Sequence, residues 1–118
     1  MNPDKRQSER LMVLMPDEEP VVVQLGSKQY FGRLVNLSMG GSLVSIPETN
    51  LYSEIGKTFS LSFSNEGKTF EVRGELIRVI GWYSAFHFSK LSPEESQQLS
   101  VKLGRMRAMS DMLCPGLT

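Results

Sequence analysis

Two short sets of residues in this chain have the side-chain types and the spacing to do chemistry. The first is Arg6-Gln7-Ser8-Glu9-Arg10, an R-x-x-x-R pattern. Two guanidinium groups four residues apart can face the same side of a helical turn or an extended strand. Together they carry roughly ten N–H donors and two flat cationic faces. Such a pair can grip a phosphate bidentately, read the O6/N7 edge of a guanine, or stack on a base. The plain alternative is a solvated charged tail. The second set is Asn36-Leu37-Ser38-Met39-Gly40-Gly41, or N-x-S-x-x-G. The Asn36 amide both accepts and donates, and Ser38 adds a short hydroxyl. Gly41 lets a planar ring or a phosphate come close to the backbone, where a β-carbon would intrude. The plain alternative is a strand-to-strand turn, in which Asn and Gly accommodate unusual backbone angles. Each set alone is weakly specific.

Other chemistry finds little support. The single histidine, His87, stands between Phe86 and Phe88, which a strand would turn to the opposite face. The single cysteine, Cys114, excludes an internal disulfide and a cysteine-based metal cluster, and it reads as idle. No phosphate-binding P-loop, nucleophile elbow or zinc-protease helix is present. Glu18 and Glu19 sit between prolines and read as solvated loop charges. The expectation is therefore a protein that is not an enzyme and that carries no cofactor or metal.

The two sets need elements to hold them. The 118 residues suit one domain with one core, and 40% are apolar. Net charge is zero, which argues against a duplex nucleic acid or an anionic membrane as the partner. The first residues are polar rather than a signal-peptide pattern. No apolar run approaches the roughly 20 residues that span a bilayer. The expected location is the cytoplasm.

Residues 1–10 read as a flexible arm carrying R-x-x-x-R. Leu11–Met15 is a short apolar run followed by a proline-bounded loop. Six strand-like stretches follow, at 21–25, 28–38, 42–46, 57–63, 69–81 and 82–89. Gly32, inside the second, predicts a bulge or bend. In the fourth, Phe59, Leu61 and Phe63 alternate with small polar residues. The stretch between the third and fourth is a loop with room for a short helical turn. Short strands between turn signals point to a small antiparallel barrel or sandwich. Ser92-Pro93-Glu94-Glu95 is a capping box with proline at the first helical position. Beyond it Leu99, Leu103, Met106, Met109 and Leu113 form one helical stripe. That stripe suits a helix covering an open end of the barrel. The alternative is a Met-rich partner or dimer surface. The expected division is an arm at 1–10, a barrel at 11–92, a helix at 93–113 and a tail at 114–118.

Order and spacing join the two sets. R-x-x-x-R lies first, and 25 residues separate Arg10 from Asn36. This arrangement resembles the PilZ domain, the bacterial cyclic di-GMP receptor module, whose pattern is R-x-x-x-R followed by D/N-x-S-x-x-G. The stretch from Ala85 to the capping box resembles that family's closing strand and helix, so the resemblance covers roughly residues 5–105. Asn36 stands where many members carry Asp, and an amide accepts hydrogen bonds more weakly than a carboxylate. The resemblance implies a mainly β fold: a six-stranded antiparallel barrel of Greek-key type with a C-terminal helix.

It also implies cyclic di-GMP as ligand. Arg6 and Arg10 would bind guanine edges, stack on bases and neutralise phosphate. Asn36, Ser38 and Gly41 would form the barrel half of the site. Arg33 and Gly40 are further candidates, as is Lys5, because residues beside the arginines influence whether one ligand or a stacked pair binds. The arm would order over the ligand and offer a new surface to an effector protein, the chain acting as a monomer or weak dimer. Two alternatives stand beside this reading. One is a PilZ-type interaction module that binds no nucleotide. The other is an OB-like single-stranded nucleic-acid binder, which the zero net charge and core-like aromatic positions disfavour.

Overall fold

The computed structural model describes residues 11–12 and 19–113, with side chains described over 19–109. Among the described residues seven strands and one helix follow in order: β1 (Leu11–Met12), β2 (Pro20–Leu25), β3 (Lys28–Ser38), β4 (Gly41–Ser45), β5 (Thr58–Asn65), β6 (Lys68–Ile80), β7 (Tyr83–Phe88) and α1 (Pro93–Leu113). A 3-10 turn at Tyr52–Glu54 interrupts the loop before β5, as its sequence suggests. All strand pairings are antiparallel. The order β3-β2-β5-β6-β7-β4 returns to β3 and closes a six-stranded barrel. Closure leaves no open edge among these six strands.

Strand β3 makes the closure possible because its two halves pair differently. Its first half, Lys28–Arg33, pairs with β2. Its second half, Arg33–Ser38, pairs with β4. Beyond the end of β2, the freed edge of β3 takes β1, with Leu11 opposite Leu37 and Met12 opposite Asn36. The apolar run at Leu11–Met15 thus contributes its first two residues to the sheet.

Inward positions follow the alternation of the sequence. Phe59, Leu61 and Phe63 of β5 are buried, as are Phe70, Val72 and Leu76 of β6. Phe59 meets Phe86 edge-on with ring centroids 5.4 Å apart, and Phe63 meets Phe88 at 6.2 Å, separations at which such pairs attract. Phe86 and Phe88 are buried while His87 between them is exposed, as a strand requires.

The expected bulge at Gly32 lies elsewhere. The register of β3 against β4 shifts between Leu34 and Asn36, and that of β6 against β7 shifts between Leu76 and Arg78. Gly32 instead permits a close approach of backbones, since a Cβ there would lie 2.7 Å from the Ser45 carbonyl oxygen.

Helix α1 opens on the capping box. The Glu95 N–H donates to Ser92 Oγ at 3.0 Å, and the Ser92 N–H donates to Glu95 Oε1 at 2.8 Å. Leu99 and Met106 are buried in the barrel core and Leu103 packs against it, so the helix covers the barrel. Ser92→Ala should cost about 1 kcal/mol, read as a lower denaturant midpoint at unchanged m-value. The expectation of a solvated Glu19 is wrong. Its carboxylate receives Lys102 Nζ from α1 at 2.7 Å, and Arg105 lies 4.0 Å away.

Candidate ligand-binding face

The bulge in β3 decides where the motif side chains point. Leu34 pairs with Val44 on the inward face. Strict alternation would then turn Asn36 inward and Leu37 outward. The extra residue, Val35, reverses the phase. Leu37 pairs with Ser42, which pairs with the core residue Phe86, so Leu37 faces in. Asn36 pairs with Leu43 and faces out. Bulges re-aim side chains in this way.

Cross-strand partners share a face, so the registers define three outward rows over β3, β4, β7 and β6. One row is Arg33–Ser45–Tyr83–Ile80. The next is Asn36–Leu43–Ala85–Arg78. The third is Ser38–Gly41–His87–Glu75. Asn36, Ser38, Gly41 and Arg33 therefore lie on one continuous outer surface.

Each has its own surroundings. Asn36 is buried, 6% exposed, and its Oδ1 has no hydrogen-bond partner among the described residues. Leaving such an acceptor unsatisfied costs about 1–3 kcal/mol, which a ligand N–H donor would recover. Ser38 Oγ accepts the Gly40 N–H at 3.1 Å and donates to the Gly41 carbonyl at 3.4 Å, so this hydroxyl already braces the turn. The Gly40 carbonyl accepts the Phe88 N–H at 2.9 Å and ties the turn to β7. Arg33 is exposed.

Gly41 has a packing reason to be glycine. A Cβ there would stand 2.3 Å from the Phe86 carbonyl oxygen, a backbone atom that cannot swing away. Gly41→Ala should therefore lower stability by about 1–3 kcal/mol through overpacking, read by thermal unfolding without ligand. Lys5, Arg6 and Arg10 lie outside the described residues. Arg10 is, however, peptide-bonded to Leu11, whose Cα sits opposite Leu37 in the middle of N-x-S-x-x-G.

Sequence reasoning missed Arg78 and Tyr83 on this surface. Arg78 belongs to no motif, and strict alternation beyond Leu76 would have turned it inward. Among the described residues no group of three or more His, Cys, Asp or Glu side chains could hold a metal ion. None of the described helices is long and apolar enough to cross a membrane.

The PilZ domain model matches residues 4–103, and the chain belongs to the PilZ family. No curated protein matches the sequence. The fold is similar to the PilZ domain of YcgR from Escherichia coli with c-di-GMP, at TM-score 0.76 and 17% identity over 97% of this chain and 100% of that one. It is similar to the inhibitor of motility from Bacillus subtilis, at TM-score 0.71 and 16% identity over 92% of this chain and 54% of that one. It is also similar to PlzA from Borreliella burgdorferi in complex with c-di-GMP, at TM-score 0.57 and 17% identity over 84% of this chain and 41% of that one. The chain thus spans about half or less of those two longer proteins.

Proposed function

We infer that this chain is a receptor for cyclic di-GMP, and that Arg6, Arg10, Asn36, Ser38 and Gly41 form its site. The observation that carries the reading is β1. The two residues that follow the arginine pair, Leu11 and Met12, run antiparallel to Leu37 and Asn36, so Arg10 is one peptide bond from a strand paired with N-x-S-x-x-G. The two half-sites belong to one surface. The ligand carries two phosphodiester charges and two guanines, which suit a pair of guanidinium forks. The unpaired Asn36 Oδ1 accepts a guanine N–H. Membership of the family and likeness to two c-di-GMP complexes support the same ligand.

The residue 1–10 arm closes over the bound dinucleotide, with Lys5 and Arg33 adding charge beside the phosphates and Gly40 keeping the turn low. Arm, ligand and barrel then form a surface that an effector protein reads. A thermal-shift series tests the ligand. Cyclic di-GMP at about one hundred times its Kd should stabilise the fold by about 2.7 kcal/mol. GMP at the same concentration should leave the unfolding temperature unchanged. An equal response to both, or to neither, contradicts the reading.

A further inference from the structure

The outward row that begins at Asn36 does not end at the motif. It continues through Leu43 and Ala85 to Arg78, three strand spacings away, or roughly 14 Å. Both ends of the row lie at a bulge, in β3 beside Asn36 and in β6 beside Arg78. Each bulge turns to the outer face a polar side chain that alternation would have pointed into the core. Between them the surface is hollow. A cavity of about 290 Å³ is lined by Leu43, Arg78, Ile80, Tyr83 and Ala85. Its walls are almost wholly apolar, and Arg78 and Tyr83 are the two lining residues that carry a polar group. Tyr83 and Ile80 are cross-strand partners and both stand well exposed, at 48% and 67%. Arg78 is exposed as well.

We propose that this hollow is a base subsite that holds one purine ring of the bound dinucleotide, with Tyr83 as stacking partner and Arg78 as the reader of its Hoogsteen edge. The proposal rests on the cyclic di-GMP reading and extends it to residues outside both motifs. Size limits the occupant. Small-molecule sites span roughly 300–1,000 Å³, so this one has room for a single ring system and not for a whole cyclic dinucleotide. Chemistry narrows it further. An apolar hollow with an aromatic residue in its lining suits a base, because every base has a face that stacks. Arg78, an exposed lining residue, brings a fork of N–H donors that suits guanine, which offers the O6 and N7 acceptors together. Adenine offers N7 beside an N–H donor, which a guanidinium cannot satisfy. Position completes the case. The slot adjoins Leu43, the direct partner of Asn36, so a ligand satisfying the buried Asn36 Oδ1 would bring a base over it.

The test measures affinity for cyclic di-GMP and cyclic di-AMP in the full chain and in four variants: Tyr83→Ala, Tyr83→Phe, Arg78→Ala and Arg10→Ala. Tyr83 and Arg78 are exposed, so their variants should keep the wild-type unfolding temperature. The expected result is about ten-fold weaker cyclic di-GMP binding in Tyr83→Ala, wild-type binding in Tyr83→Phe, and narrowed discrimination against cyclic di-AMP in Arg78→Ala. If the wild type binds and Arg10→Ala weakens it while Tyr83→Ala and Arg78→Ala do not, the base subsite is overturned alone, and the hollow is left to a protein partner. If the wild type binds neither dinucleotide, the subsite and the receptor reading fall together.

Discussion

Arg10→Ala should weaken cyclic di-GMP binding by about ten-fold or more, and Arg6→Ala should do the same. Each guanidinium would make charge-assisted hydrogen bonds worth roughly 1.5–3 kcal/mol, and each 1.4 kcal/mol is about a factor of ten in Kd. The loss should fall mainly on the dissociation rate. Arg10→Lys separates charge from shape. It keeps the cation but loses the planar fork that matches a guanine edge or a phosphate, so it should restore little of the lost affinity. Added salt should weaken the wild type more than either alanine variant, because the removed contacts are the ionic ones. Titration calorimetry at two ionic strengths reads the alanine, lysine and salt effects on Kd. An unchanged Kd in both alanine variants would sink the assignment of R-x-x-x-R to the ligand.

The largest effect on stability belongs to Lys102. Its side chain is 1% exposed, and its ammonium donates to Glu19 Oε1 at 2.7 Å and to the Ser64 carbonyl at 2.6 Å. This contact ties helix α1 at once to the segment entering β2 and to the end of β5. Removing the cation leaves a mostly buried carboxylate and a carbonyl without their donor. Breaking one side of such a pair costs about 3–5 kcal/mol. Lys102→Ala should therefore lower the unfolding temperature on the order of 15 °C for a domain of this size. Glu19→Gln combined with Lys102→Met should recover much of the loss, because replacing both partners removes the stranded charge. A Lys102→Ala protein within about 2 °C of wild type would mean that the ammonium contributes nothing net.

The barrel was legible because its inward positions obey a period of two over most of each strand. Phe59, Leu61 and Phe63 are the clearest case, and all are buried. The helix was legible because a capping box is a local signal, and both of its hydrogen bonds form. Family membership was legible from two motifs in order, since residues 4–103 match the PilZ model. What escaped sequence reading depended on pairing between distant strands. A bulge exists only relative to a partner strand, so the reversals after Leu34 and Leu76 left no mark in the alternation itself. Without them Asn36 and Arg78 could not be assigned to a face, and the row joining them was invisible. Gly41 looked like clearance for a ligand, and only the register with β7 reveals the Phe86 carbonyl in the space a Cβ would take. Glu19 read as a loop charge because its partner stands 83 residues away.

The central claim is that the arm and the barrel motif form one cyclic di-GMP site, and titration calorimetry of the intact chain with that ligand tests it most directly. The account predicts saturable binding at a whole-number stoichiometry, abolished or weakened at least ten-fold by Arg10→Ala. A wild-type chain, folded by its unfolding transition, that gives no binding heat at any temperature tried and no ligand-dependent rise in unfolding temperature would contradict it.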